Sequence, residues 1–152
     1  MQHRPQLKLQ FLPHGQGLPV PQYQTSGASG MDLYAAVGEP VLLQPGDIRC
    51  IPSGIAVEIE PGYEAQVRAR SGLALKHGIG LVNAPGTIDA DYRGEVGVIM
   101  INHGRLAFTV ERGMRIAQMV IQPVCRAELV VQDELTATAR AAGGFGHTGH
   151  KR

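Results

Sequence analysis

Apolar and polar residues take turns along most of this chain, and a side-chain period of two is what a strand with one buried face requires. Leu7, Leu9 and Phe11 carry the pattern, as do Ile55, Val57 and Ile59, and Tyr63, Ala65, Val67 and Ala69. Residues 96–101, 106–110 and 116–121 are further β-rich runs. Turn chemistry separates them: Gln44-Pro45-Gly46-Asp47, Pro52-Ser53-Gly54, Glu60-Pro61-Gly62, Asn102-His103-Gly104-Arg105 and Glu111-Arg112-Gly113. Proline presets one turn φ and glycine accepts a positive one. The separators recur at roughly the 8–12-residue spacing of a sandwich or barrel. One short helix is expected over Ser71–His77, with Ser71 as candidate N-cap. The pattern predicts an all-β fold of mostly antiparallel strands: a sandwich, a jelly roll or a Greek-key barrel.

The 152 residues suit one domain. Hydrophobic residues at 43% and charged ones at 18% are a globular balance. The 20 glycines and 10 prolines follow no three-residue period, so they read as turns and not as collagen. A formal charge of +1 lacks the basic excess of a protein that coats nucleic acid. Met1-Gln2-His3-Arg4-Pro5 has no apolar signal core, and no run approaches the ~20 apolar residues of a membrane helix. Cys50 and Cys125 lie in apolar runs and are expected to be small buried hydrophobes. These features predict a soluble, cytoplasmic protein with no nucleic-acid or membrane partner. From Thr136 the chain turns to small residues, glycines and a basic end. Residues 1–135 are therefore expected to form the barrel domain and 136–152 a C-terminal arm.

Five segments hold chemistry that strands alone do not need. In Ser26-Gly27-Ala28-Ser29-Gly30-Met31-Asp32-Leu33, an acid begins a strand; it either faces a metal or its waters, or ends a polar turn. Arg70-Ser71-Gly72-Leu73-Ala74 places donors where a strand meets a helix, suited to phosphate oxygens or to a plain cap. The stretch from Asn83 through Thr87, Ile88, Asp89, Ala90, Asp91, Tyr92, Arg93 and Gly94 to Val96 is either a charged hairpin or a pocket wall carrying a general base. Gln118 is polar within the apolar run that follows Gly113, either as a ligand contact or as a satisfied strand amide. In Arg140-Ala141-Ala142-Gly143-Gly144-Phe145-Gly146-His147-Thr148-Gly149, glycines flank an aromatic: a disordered tail, or a segment that closes over a ligand with Arg140 on phosphate and Phe145 on a base. The Gly and Lys spacing of a Walker loop is absent.

Taken together and in this order, the five segments resemble the motifs of the homotrimeric dUTP pyrophosphatase (dUTPase) family, in its bacterial form. The resemblance runs from about Ser26 to Gly149 and is most specific in Ile88-Asp89-Ala90-Asp91-Tyr92-Arg93-Gly94 and Gly143-Gly144-Phe145-Gly146. It implies a jelly-roll-like β-barrel that assembles as a homotrimer. Three active sites would lie between subunits, with the arm of one chain covering a site formed by the other two.

The resemblance also implies roles. Asp89 would be the catalytic base, activating water for in-line attack on the α-phosphorus of dUTP to yield dUMP and pyrophosphate. Asn83 and the backbone near Gly97 would read uracil, with Thr87 and Ile88 flanking the pocket. Tyr92 would pack under the deoxyribose and exclude a 2′-hydroxyl. Arg70, Ser71, Gly72 and Gln118 would hold phosphates, Arg140 the γ-phosphate, and Phe145 with Gly146 would cover the base. Asp32 would orient Mg2+ through water, the ion itself being held by the triphosphate. The product dUMP would supply dTMP synthesis, and removing dUTP would keep uracil out of DNA.

Three positions depart from the common family pattern. Ala69 stands where proline is frequent, Ala141 where glycine is, and His147 where serine is. The other histidines, His3, His14, His77, His103 and His150, show no metal-ligand spacing. The related dCTP deaminases share the implied fold but need a second proton-shuttling group, for which Glu95 is the nearest candidate. A non-catalytic trimeric β module is the rival of another class.

Overall fold

The longest strand organises the molecule. In the computed structural model, which describes residues 4–145, β4 runs over Ile48–Ile59. It pairs antiparallel with β1 (Leu7–Phe11) and with β8 (Glu95–Asn102), and β8 pairs in turn with β6 (Ile79–Leu81). A second sheet has the order β2 (Met31–Tyr34), β10 (Arg115–Pro123), β5 (Tyr63–Arg68) and β7 (Gly86–Ile88). β3 (Val41–Leu43) and β9 (Phe108–Val110) form a short ribbon. The result is a nearly all-β, jelly-roll-like barrel with one short helix.

Alternation sets the core. Along β8 every second residue is buried, so Val96, Val98 and Met100 face inward. They meet Leu33, Ile51, Val57, Ile116 and Met119 from the other strands in one apolar cluster. Asn102 is buried among them without cost, because its three hydrogen bonds replace water. Its Nδ2 donates to the carbonyls of Leu43 (2.9 Å) and Leu106 (2.8 Å), and its Oδ1 accepts from the Gly104 N–H (2.8 Å).

Four local expectations change. Pro52-Ser53-Gly54 is not a turn: β4 passes through it as a bulge, with Gly54 at φ 71° and a register shift between Pro52 and Ala56. Ser71 is the first helical residue of α1 (Ser71–His77), and the N-cap is Arg70, with no side-chain cap bond. Cys50 and Cys125 are both exposed: Cys50 lies in the outer half of β4, and Cys125 follows the end of β10. Leu106 lies before β9 and is exposed.

Two crowded backbone contacts hold the loops against the sheets. Gly78 ends α1 at φ 69°, and a Cβ there would come within 2.6 Å of the Gly104 backbone. Gly15, in a single 3-10 turn over Pro13–Gly15, lies against Gly54 so closely that neither position has room for a side chain. After Pro123 the described chain forms no further strand, and Leu129, Val130, Val131 and Leu135 are exposed.

Candidate active site

Cross-strand register assembles the first group of side chains. Asp32 on β2 lies opposite Gln118 on β10, which lies opposite Arg68 on β5. The Gln118 amide donates to the Ala69 carbonyl at 3.0 Å and so ties β10 to the segment leading into α1. A Cβ at Gly30 would meet Gln118 Oε1 at 2.6 Å, so a larger residue before β2 would push the Gln118 amide aside. Arg70 then reaches back to Asp32, with Nε 3.0 Å from Oδ1. Its Nη1 donates to the Arg115 carbonyl at 3.0 Å. Arg115 closes the group, with Nη1 3.3 Å from Asp32 Oδ2.

One buried carboxylate, 8% exposed, is thus flanked by two guanidinium groups. The group carries one excess positive charge and is partly open to solvent, with Ser71 and Gly72 exposed beside it. Such a cradle suits a polyanion, because planar guanidinium forks match phosphate oxygens. The expected residues Asp32, Arg70, Ser71, Gly72 and Gln118 come together here. Arg115 was not anticipated; the available signal was an arginine heading an otherwise apolar run.

The second group sits on the turn from β7 to β8 and on the strands beside it. Asp89 follows β7 directly and is exposed. Its backbone carbonyl accepts from the Tyr92 N–H at 3.1 Å, which closes the turn. Among the described residues, no hydrogen bond engages its carboxylate. The Tyr92 hydroxyl donates to the Glu95 carbonyl at 3.1 Å, and the ring lies so close over Gly94 that no side chain fits there. Arg93 Nη1 donates to the carbonyls of Ala90 (2.7 Å) and Tyr92 (2.9 Å), stiffening the turn further. Asn83 and Thr87 are exposed, and Ile88 is half-buried opposite Ala65. Gly97 lies opposite Pro52, where a Cβ would meet Cys50 Sγ at 2.8 Å. Asp89 opens on a cleft of about 830 Å³ shared with Tyr63, Glu64, Asp91, Arg93 and Arg126.

The two groups do not meet within one chain. Arg68 faces Gln118, whereas the β5–β7 register carries Asp89 to the level of Glu64. Four residues along β5 and two strand spacings across give about 16 Å between the Gln118 and Asp89 backbones. The third group is the arm. Arg140 Nε donates to the Gly143 carbonyl at 2.7 Å, and Ala141 takes φ 44°, a conformation easier for glycine. Phe145 is fully exposed. Gly146 and His147 lie outside the described residues.

No cluster of three or more His, Cys, Asp or Glu among the described residues could cage a metal. Asp32 has an arginine at each oxygen, so it is a poor direct ligand. Its remaining lone pairs fit a role through the water shell of a cation carried by the ligand.

Comparison with known proteins places this geometry. The family model described as dUTPase matches residues 16–149. The deoxyuridine 5'-triphosphate nucleotidohydrolase of Anaeromyxobacter sp. (strain Fw109-5) is 58% identical over 135 residues, 89% of this chain and 90% of that protein. The Staphylococcus bacteriophage 80alpha dUTPase with dUPNHPP superposes with a TM-score of 0.85 at 26% identity, covering 95% of this chain and 99% of that one. An aspartate-to-asparagine mutant of the dUTPase from phage phi11 of S. aureus, whose structure reveals the coordination of a structural Mg(II) ion, shares the fold with a TM-score of 0.75 at 24% identity. It covers 85% of this chain and 97% of its own.

Proposed function

The chain belongs to the dUTPase family, and on that premise we propose that it hydrolyses dUTP to dUMP and pyrophosphate. The observation that carries the reading is the two-guanidinium cradle around Asp32, in a chain that also presents the exposed carboxylate of Asp89 on a stiff turn.

Arg70, Arg115 and Gln118, with Ser71 and Gly72, hold the phosphates. Asp89 accepts a proton from water as the water oxygen attacks the α-phosphorus. The bond from that phosphorus to the bridging oxygen breaks, and pyrophosphate leaves. A base in this position needs a fixed direction more than an unusual acidity. Asn83 and the Gly97 backbone read uracil, while Thr87 and Ile88 wall the pocket. The Tyr92 ring, held by its hydroxyl, lies against the deoxyribose. A Mg2+ ion brought in on the triphosphate would meet Asp32 through water and supply charge neutralisation.

The separation of about 16 Å supports a site built from more than one chain. In a homotrimer, the cradle of one copy would meet the Asp89 turn of a second, and the arm of a third, with Arg140, Phe145 and Gly146, would cover the nucleotide. Residues 1–135 would then be barrel and 136–152 arm. No helix among the described residues is long and apolar enough to cross a membrane. On the family resemblance we assign the enzyme to the cytoplasm, where dUMP feeds dTMP synthesis and uracil is kept from DNA.

The deciding measurement is pyrophosphate release from dUTP against dTTP, dCTP and UTP, with Mg2+ and with EDTA as control. Turnover of dUTP alone supports the assignment. Equal turnover of all four, or ammonia release from dCTP, overturns it. Glu95 already argues against the deaminase reading, because its carboxylate is engaged by the Gly54 N–H at 2.7 Å and His14 Nε2 at 2.8 Å.

A further inference from the structure

Glu95 joins three parts of the molecule that are distant in sequence. Its Oε1 accepts two hydrogen bonds: from the Gly54 N–H in the β4 bulge and from His14 Nε2 in the 3-10 turn. Its own carbonyl accepts the Tyr92 hydroxyl. The phenol is therefore referenced to Glu95 from one side, while Glu95 is pinned from the other.

The turn that delivers His14 is itself fixed. Arg112 donates to the carbonyls of His14 (2.8 Å) and Gln16 (3.0 Å), the Leu12 N–H donates to the Gly54 carbonyl (2.8 Å), and Gly15 lies in side-chain-free contact with Gly54. Gly94, between Tyr92 and Glu95, leaves the space that lets the hydroxyl fold back. The His14–Glu95 pair is partly exposed, at 45% and 28%, so its contribution to global stability is modest. Its geometric consequence runs from side chain to backbone: His14 and Gly54 hold the Glu95 carboxylate, and the Tyr92 hydroxyl bonds to the carbonyl of the same residue at the start of β8.

We propose that His14 and Glu95 form a clasp that positions the Tyr92 ring and so sets discrimination between deoxyribose and ribose substrates. Neither residue touches the nucleotide; both act through Tyr92. The inference rests on the assignment of Tyr92 to the sugar made above. Loosening the clasp lets the ring retreat and admits a 2′-hydroxyl.

The test is the ratio of kcat/KM for dUTP to kcat/KM for UTP, measured with Mg2+ on full-length, folded protein. A merely structural loss lowers both values together and leaves the ratio alone. His14→Ala, which keeps the Gly54–Glu95 bond, is expected to lower the ratio about tenfold, the scale of a displaced positioning contact. His14→Gln, which restores a side-chain N–H toward Glu95, is expected to recover most of it. His14→Leu removes the ring N–H while filling its space, and provides the same comparison should His14→Ala fail to fold. Tyr92→Ala is the reference. A collapsed ratio in Tyr92→Ala beside a ratio within about twofold of the parent in folded His14→Ala or His14→Leu overturns the clasp alone. An unmoved ratio in Tyr92→Ala as well removes the sugar-facing assignment and the clasp with it.

Discussion

Asp89 and Asn102 are opposite cases of a polar side chain in a β protein. Asn102 is buried and fully satisfied, so its value is structural. Asn102→Ala leaves three backbone partners unmatched inside the barrel. The expected loss is about 3 kcal/mol of unfolding free energy, read from urea denaturation, with catalysis by the remaining folded fraction intact. Asp89 is exposed and, among the described residues, bound only through its backbone, so its side chain is spare as far as folding is concerned. Asp89→Asn is expected to fold and bind nucleotide like the parent while losing about 10²–10⁴ in kcat, the usual worth of a positioned base. Steady-state kinetics beside nucleotide binding by calorimetry checks this, and near-parental turnover would remove Asp89 from its role.

At the scale of elements, the long alternating runs were legible because burial itself alternates along them, as β8 shows residue by residue. Helix α1 was legible too, since its residues break the period of two between strands. The three-residue strands β3, β6 and β7 are too short to display a period. Pro52-Ser53-Gly54 misled because a bulge and a turn call for the same residues, and only the pairing of Pro52 with Gly97 on β8 tells them apart. Cys50 misled because an apolar run on a sheet's outer face resembles one on its inner face. The cradle was hidden for a related reason: Asp32 and Gln118 are neighbours by register and not by sequence. Motif resemblance supplied five of its residues, and Arg115 emerged only from the distances. The arm makes a prediction of its own. Truncation after Leu135 removes Arg140 and Phe145 and, among the described residues, no strand. The shortened protein is expected to keep its circular dichroism spectrum and lose most of its kcat/KM for dUTP, whereas full activity would deny the arm a part in the site.

For the whole molecule, the separation of cradle and turn has a consequence that mixing can reveal. Gln118→Ala damages one half of a site and Asp89→Asn the other. If the halves come from different copies, co-refolding the two weak variants regenerates about a quarter of the sites with both halves intact, by random assortment in a closed ring. Activity of the mixture well above either parent is the expected result, and a simple average of the two would place both residues in one chain. A site shared between copies would also have to keep its shape while incomplete. Two guanidinium groups held side by side repel, and Asp32 quiets that repulsion by standing where an anion would stand. On the proposed reading, an incoming nucleotide phosphate finds two guanidinium groups already partnered by a carboxylate and not a bare cationic hole. On that reading the tethered carboxylate is a counter-ion that never diffuses away, so the cradle's grip on any phosphate, the product's included, is tempered from the start.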